Sequence, residues 1–290
     1  MTIDRRQFLG QVGAGVVLAS GMAQASQSRR LDRIGVQLYT VRDAMAKDVD
    51  GTVARVAALG FREVEFAGYF DRTPQQIRAL LDRHGLTSPS THIDLATITD
   101  RLPQVIEASR VIGHQYIVLP WLDDAARSQP DIWARVADTL NRAGETAKAA
   151  GLRMAYHNHH FEFAPTASGQ LPFDLLLERC DPALVAFELD LAWITAAGQD
   201  PLAYFAKYPG RFPMVHVKGL RKRSGQGASV PIDQMMSDIA DVGGDSVEWA
   251  RIFAQSGQAG ITHYFVEHDA AASPFDSLKA SITYLQGLRF

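Results

Sequence analysis

The chain is predicted to fold as a (β/α)8 barrel in a single domain, on three observations. From Arg33 onward, eight short β-type runs alternate with helical patterns. No glycine-rich phosphate loop follows the first strand, which argues against a doubly wound sheet. The polar residues gather at the strand ends, where such a barrel assembles its chemistry.

The elements follow in order. Arg33–Leu38 is the first strand, and Asp50–Leu59 is a helix stopped by Gly60. Arg62–Phe66 is the second strand. Thr73 is placed to cap a helix that has Pro74 at its first position and Gly85 as its stop. Leu86–His92 is the third strand, interrupted by Pro89, and Arg101–Ile112 is the helix after it. Gln115–Leu119 is strand four, with a long amphipathic helix from Pro130 to Ala150. Leu152–His157 is strand five, with a helix at Pro172–Arg179. Leu184–Leu189 and Phe212–Val217 are strands six and seven, separated by a short helix at Pro201–Lys207. A long polar stretch, Lys218–Asp245, is either a lid over the site or a mobile insertion. Its Arg221-Lys222-Arg223 cluster reads as a solvated loop. A helix at Ser246–Gln255, strand eight at Ile261–Glu267 and a last helix at Pro274–Leu288 complete the pattern.

Composition narrows the function. The 290 residues are 47% hydrophobic and 21% charged, which are globular values. A net charge of −3 and a pI near 6.3 argue against a nucleic-acid partner, which would call for a basic surface. No run of 18 or more apolar residues suits a stable membrane span. The single cysteine, Cys180, is expected to be a buried structural thiol.

Residues 1–25 stand apart. Arg5-Arg6 followed by Gln7-Phe8-Leu9, an apolar Gly- and Ala-rich segment, and the small-x-small site Ala23-Gln24-Ala25 resemble a twin-arginine (Tat) export signal. The barrel is accordingly assigned to residues 26–290 and the expected location is the periplasm. Removing the signal takes away Asp4, Arg5 and Arg6, a net +1 from a chain of −3.

The densest chemistry lies in LRMAYHNHHFEF, Leu152 to Phe163. Period-two alternation puts His157 and His159 on one side, Tyr156 and Asn158 on the other. The remaining strand ends offer Gln37, Tyr39, Thr40, Glu65, His92, Asp94, Glu188, Asp190, His216, Lys218, Glu267 and His268. Imidazoles and carboxylates without thiolates suit a borderline or hard divalent ion: Mn, Co, Zn, Fe or Mg. His157, Asp190, His216 and Glu267 are the expected ligands. Glu188, one step deeper, is expected in a buried ion pair or a contact behind the ligands.

The segments GVQLYTVRD, YHNHHFEF, FELDLAW, AGQDP, GRFPMVHVK and YFVEHD resemble the sugar phosphate isomerase/epimerase family, the xylose isomerase-like TIM barrels. The resemblance runs from about Arg33 to the end. It implies a divalent metal, commonly Mn, held by residues of strands five to eight. It also implies isomerisation or epimerisation of sugars and keto-sugars, epimerase or lyase chemistry on 3-keto-glycosides, and by family habit a homodimer. Asp190, His216 and Glu267 match three ligands of that pattern. This chain departs at His157, where many relatives carry Glu. It departs again at Gly219, where Asp usually follows the Lys, and at Trp193, where isomerases often carry a second His.

If His157 binds metal it is not a free base, and a one-base mechanism follows, with Glu267 or Glu162 as the base. Lys218 and the metal would stabilise an enediolate. His92, His159, Glu65, Gln37 and Trp193 are the expected sugar contacts. The alternative is a non-catalytic periplasmic sugar-binding barrel, motivated by the changes at His157 and Gly219.

Overall fold

A computed structural model describes residues 29–290; the twin-arginine segment and its cleavage site lie outside the described residues. Eight parallel strands close into a barrel: β1 (Gly35–Gln37), β2 (Glu63–Phe66), β3 (Thr87–His92), β4 (Tyr116–Leu119), β5 (Arg153–His157), β6 (Val185–Asp190), β7 (Met214–Val217) and β8 (His263–Val266). Each pairs with its neighbours in sequence, and β1 closes the ring on β8 through Gly35↔Phe265 and Val36↔Val266. This is the predicted class, and every strand lies within two residues of its predicted run.

Period-two alternation divides the strands between two cores. Val118, Ala155, Ala186, Met214 and Phe265 point inward and pack together inside the barrel. Their neighbours Ile117, Met154, Phe187 and Val215 point outward to the helices. The inner taper demands small residues: a Cβ on Gly35 would stand 2.6 Å from Cδ1 of Phe265. Cys180 is buried in the helix-side core, and burial pushes its thiol up to about 12, as expected of a structural cysteine.

Helix signals behaved as local chemistry dictates. Thr73 and Gln76 form a reciprocal capping box, and Gly85 ends the helix in the left-handed conformation. The helix predicted to begin at Arg101 begins at Leu95, capped by Asp94. It is two helices end to end, because backbone geometry breaks at Arg101, just before the donorless Pro103. The helix predicted from Pro130 starts at Ile132, after a short separate turn at Asp124–Arg127.

The stretch Lys218–Asp245 is built rather than loose. Gly219–Leu220 pairs antiparallel with Ile239–Ala240, and a short helix, Ile232–Met236, lies between them. Leu220, Met235 and Ile239 pack on Ala192, Trp193 and Ala196 from the helix after β6. Arg223 pairs with Asp238 while the rest of its basic cluster is exposed, as read from the sequence. Among the described residues, no helix is long and apolar enough to cross a membrane.

Candidate metal centre

Strand register assembles the site. Asp190 is the last residue of β6 and lies beside His216 of β7; His157 ends β5 beside Glu188. Glu267 follows β8, its N–H donating to the Val217 carbonyl. One donor atom each from His157, Asp190, His216 and Glu267 falls within 4.8 Å of the others, and all four residues are buried. These are the four ligands expected from sequence.

The hydrogen bonds around His157 define its role. A carbonyl can only accept, so Nδ1–H donates to Pro120 O at 3.0 Å. In the neutral ring that leaves the Nε2 lone pair turned inward, buried and without a partner, 3.5 Å from Asp190 Oδ2. A lone pair facing a carboxylate oxygen is repulsive unless a cation lies between them. Asp190 uses Oδ1 to accept from the Ala192 and Trp193 N–H groups, which leaves Oδ2 for the cluster. His216 has Nε2 at 2.8 Å from Glu65 and Nδ1 at 2.9 Å from Glu267. With Nε2–H donating to Glu65, its Nδ1 is free to bind an ion, the usual carboxylate–histidine–metal arrangement. The donor set therefore fits a divalent cation.

A second group, Glu65, His92, Glu188 and His216, lies behind the first. Burial by itself would lower the pKa of His92, but Glu65 and Glu188 raise it to about 9. Glu188 pairs with both His92 and His216, matching the expected supporting contact. Gln37 donates from Nε2 to Glu65 at 2.7 Å.

Lys218 is fully buried, 2.7 Å from Asp269, 2.8 Å from Glu267 and 3.0 Å from Asp190. Burial opposes ionisation of Glu267, but Lys218 and His216 outweigh it and hold the carboxyl well below its usual range. Burial lowers the pKa of His159 well below its usual value, and the Lys218 ammonium lowers it further.

A cavity of about 620 Å³ opens over the centre; His92, His157, His159, Glu267 and Asp269 border it on the side of the cluster, and Asp94 and Thr97 line it further out. His92 and His159, expected to meet substrate, thus border it. Gln37, Glu65 and Trp193, also expected to do so, do not; they are fully buried behind the groups that border it. Trp193 backs the His159 ring at 5.8 Å and the Lys218 ammonium at 4.9 Å. Lys218 does not reach the cavity either.

Glu162 is not brought to the cluster. It follows the Tyr156 side of the segment: Oε1 accepts from the Tyr156 hydroxyl at 2.7 Å and Oε2 from the His159 N–H at 2.8 Å. With both oxygens occupied there, it supplies neither a ligand to the cluster nor a base at the cavity. Asp269 and Trp121, both lining the cavity, were missed by sequence reasoning. Asp269 had a signal, since it stands two residues after Glu267. Trp121 follows β4, the one inner strand end for which no functional residue was named.

The family model described as xylose isomerase-like TIM barrel matches residues 53–285. The chain belongs to that family. Among curated relatives of this xylose isomerase-like barrel is an inosose dehydratase of Lacticaseibacillus casei, 28% identical over 184 residues, covering 57% of this chain and 61% of the relative. The chain thus spans about three fifths of that relative's length. A sugar phosphate isomerase/epimerase structure from Parabacteroides distasonis ATCC 8503 superposes with a TM-score of 0.69 at 24% identity, covering 88% of this chain and 93% of that one. A structure of the IolI protein with a bound zinc atom superposes with a TM-score of 0.66 at 12% identity, covering 87% and 95%. At these identities the two structures establish the shared fold.

Proposed function

We propose that the chain is a divalent-metal-dependent enzyme that enolises a keto-sugar or 3-keto-glycoside, as an isomerase, epimerase or lyase. The observation that carries this reading is the inward, unpartnered Nε2 of His157 among three further buried ligand-grade side chains. The name of the inosose dehydratase relative supports it, since loss of water from a keto-cyclitol also begins with a proton α to a ketone.

His157, Asp190, His216 and Glu267 would hold the ion, which when bound supplies Lewis-acid polarisation of adjacent substrate oxygens. Mn is the first candidate by family resemblance, with Co, Zn, Fe and Mg open; the IolI structure carries zinc. Glu267 is the carboxylate that both belongs to the cluster and borders the cavity, and is the proposed base. It takes the proton α to the ketone; the electron pair moves into the new C=C bond and the carbonyl oxygen becomes the oxyanion. Returning a proton to either carbon isomerises or epimerises the sugar. Expelling a β substituent, which takes up a proton from solvent as it leaves, completes a lyase reaction, with His92 bordering the cavity. Neutral His159 meets substrate hydroxyls. Lys218 balances Asp190, Glu267 and Asp269 and so sets their ionisation from below. We further propose that the twin-arginine segment exports the chain to the periplasm, where Arg5→Lys with Arg6→Lys should block delivery.

The test has two parts. Metal content by mass spectrometry should give about one ion per chain, lost in His157→Ala. Inosose or methyl 3-keto-glucoside incubated in D2O should exchange its α-proton, and Glu267→Gln should slow that exchange by about a hundredfold or more. Metal retained in His157→Ala would remove the ligand assignment. Full exchange in Glu267→Gln would remove the base.

A further inference from the structure

The cavity is larger and less polar than one sugar ring needs. Its volume of about 620 Å³ lies in the range that holds drug-sized ligands, about 300–1,000 Å³. Polar groups lie over the ligand cluster, and Asp94 and Thr97 line the cavity at the start of the helix after β3, where the Asp94 carboxylate accepts from the Thr97 N–H and hydroxyl. The rest of the lining includes Tyr39, Ile93, Trp121, Ile232 and Met236. Among the described residues three large apolar side chains are exposed, and two of them, Tyr39 at 42% and Trp121 at 39%, stand on this cavity. Exposed apolar side chains that border one cavity mark it as a candidate ligand surface.

Both rings are held in place. The Arg42 guanidinium lies 4.3 Å from the centre of the Tyr39 ring, and that of Arg127 lies 5.3 Å from the Trp121 ring. Trp121 also meets His159 edge-on at 5.6 Å, which ties the apolar part of the cavity to the polar part. Ile232 and Met236 come from the inserted helix, which is fastened to the barrel where His160 donates from Nε2 to the Val230 carbonyl at 2.7 Å. The insertion thus contributes an apolar wall.

From this lining we infer that the cavity has a second subsite, formed by Tyr39, Trp121, Ile232 and Met236, for a planar apolar group carried by the sugar, such as an aromatic aglycone. The inference rests on the sugar-enzyme reading above and names its substrate class. Aromatic rings alone would stack equally on a second sugar. Ile232 and Met236 decide against that, because a second sugar would strand its hydroxyls against side chains that cannot hydrogen-bond.

The metal-loaded full chain should be titrated with the 3-keto derivatives of 2-naphthyl β-glucoside, methyl β-glucoside and cellobiose, and with 2-naphthol. The naphthyl glucoside should bind about tenfold or more tighter than the methyl glucoside or cellobiose. In Trp121→Ser and Ile232→Thr that advantage should shrink to about twofold, and Ile232→Thr should leave methyl glucoside affinity unchanged. Equal affinities for the three glycosides, or cellobiose binding as tightly as the naphthyl glucoside, would overturn the inference. So would an advantage that survives both substitutions. 2-Naphthol separates the two readings. If no glycoside binds but 2-naphthol saturates with the same dependence on Trp121 and Ile232, the subsite stands and the sugar reading falls. If 2-naphthol also fails to saturate, the subsite falls.

Discussion

His157, His159 and His160 sit within four residues of one another and have three different jobs. His157 turns a lone pair toward the ligand cluster, His159 borders the cavity, and His160 fastens the insertion. Beneath them Glu162 accepts from Tyr156 and from the His159 backbone, so it shapes the segment that carries the first two. Burial pushes its carboxyl up to about 7, against the opposing pull of those donors. In the unfolded chain it would ionise near 4.5, so between these values the folded state binds the extra proton. Its contribution therefore falls as pH rises from about 4.5 to about 7, by up to about 1.4 kcal/mol per pH unit. Urea unfolding of wild type and Glu162→Gln across that window should show the difference between them shifting in favour of the variant as pH rises. A pH-independent difference would contradict the assignment.

The insertion gives a physical reason for Gly219, at the position where the family resemblance implies Asp. A Cβ at that position would lie 2.5 Å from the Ala240 carbonyl and 2.8 Å from that of Asp241, on the strand paired with it. Close backbone approach excludes a side chain there, and Asp269 brings a carboxylate to Lys218 from the loop after β8 instead. Gly219→Ala should force the two strands apart and cost about 2 kcal/mol or more. Urea denaturation measures it, and a cost under about 0.5 kcal/mol would show that the pairing is not tight. Trp193, likewise noted as a departure, serves this element: it packs under the insertion and behind His159 rather than on a sugar.

The four proposed ligands stand at the ends of four consecutive strands, β5 to β8, so an ion bound there would tie half the barrel together. At a free Mn concentration a hundred times its dissociation constant, binding should stabilise the fold by about 2.7 kcal/mol. For a domain of this size that is a rise in melting temperature of roughly 5 °C or more, abolished in His157→Ala. Calorimetry with and without chelator checks it; an unchanged transition would mean that the cluster does not hold the ion.

The barrel and the order of its strands were legible because their causes are local. Period-two runs, the Thr73–Gln76 cap and glycine stops such as Gly85 act within a few residues. The ligand set was legible for a related reason. Once the strands are known, parity and position at the strand end put His157, Asp190, His216 and Glu267 in one layer. The fold decided what depends on how loops return in space. It carried Glu162 to the Tyr156 side, brought Asp269 against Lys218, and raised Trp121 and the helix Ile232–Met236 around the cavity. Spacing along a chain constrains which face a residue takes within one element. Whether two loops far apart in sequence meet is settled by packing between elements, and that exists only in the folded molecule.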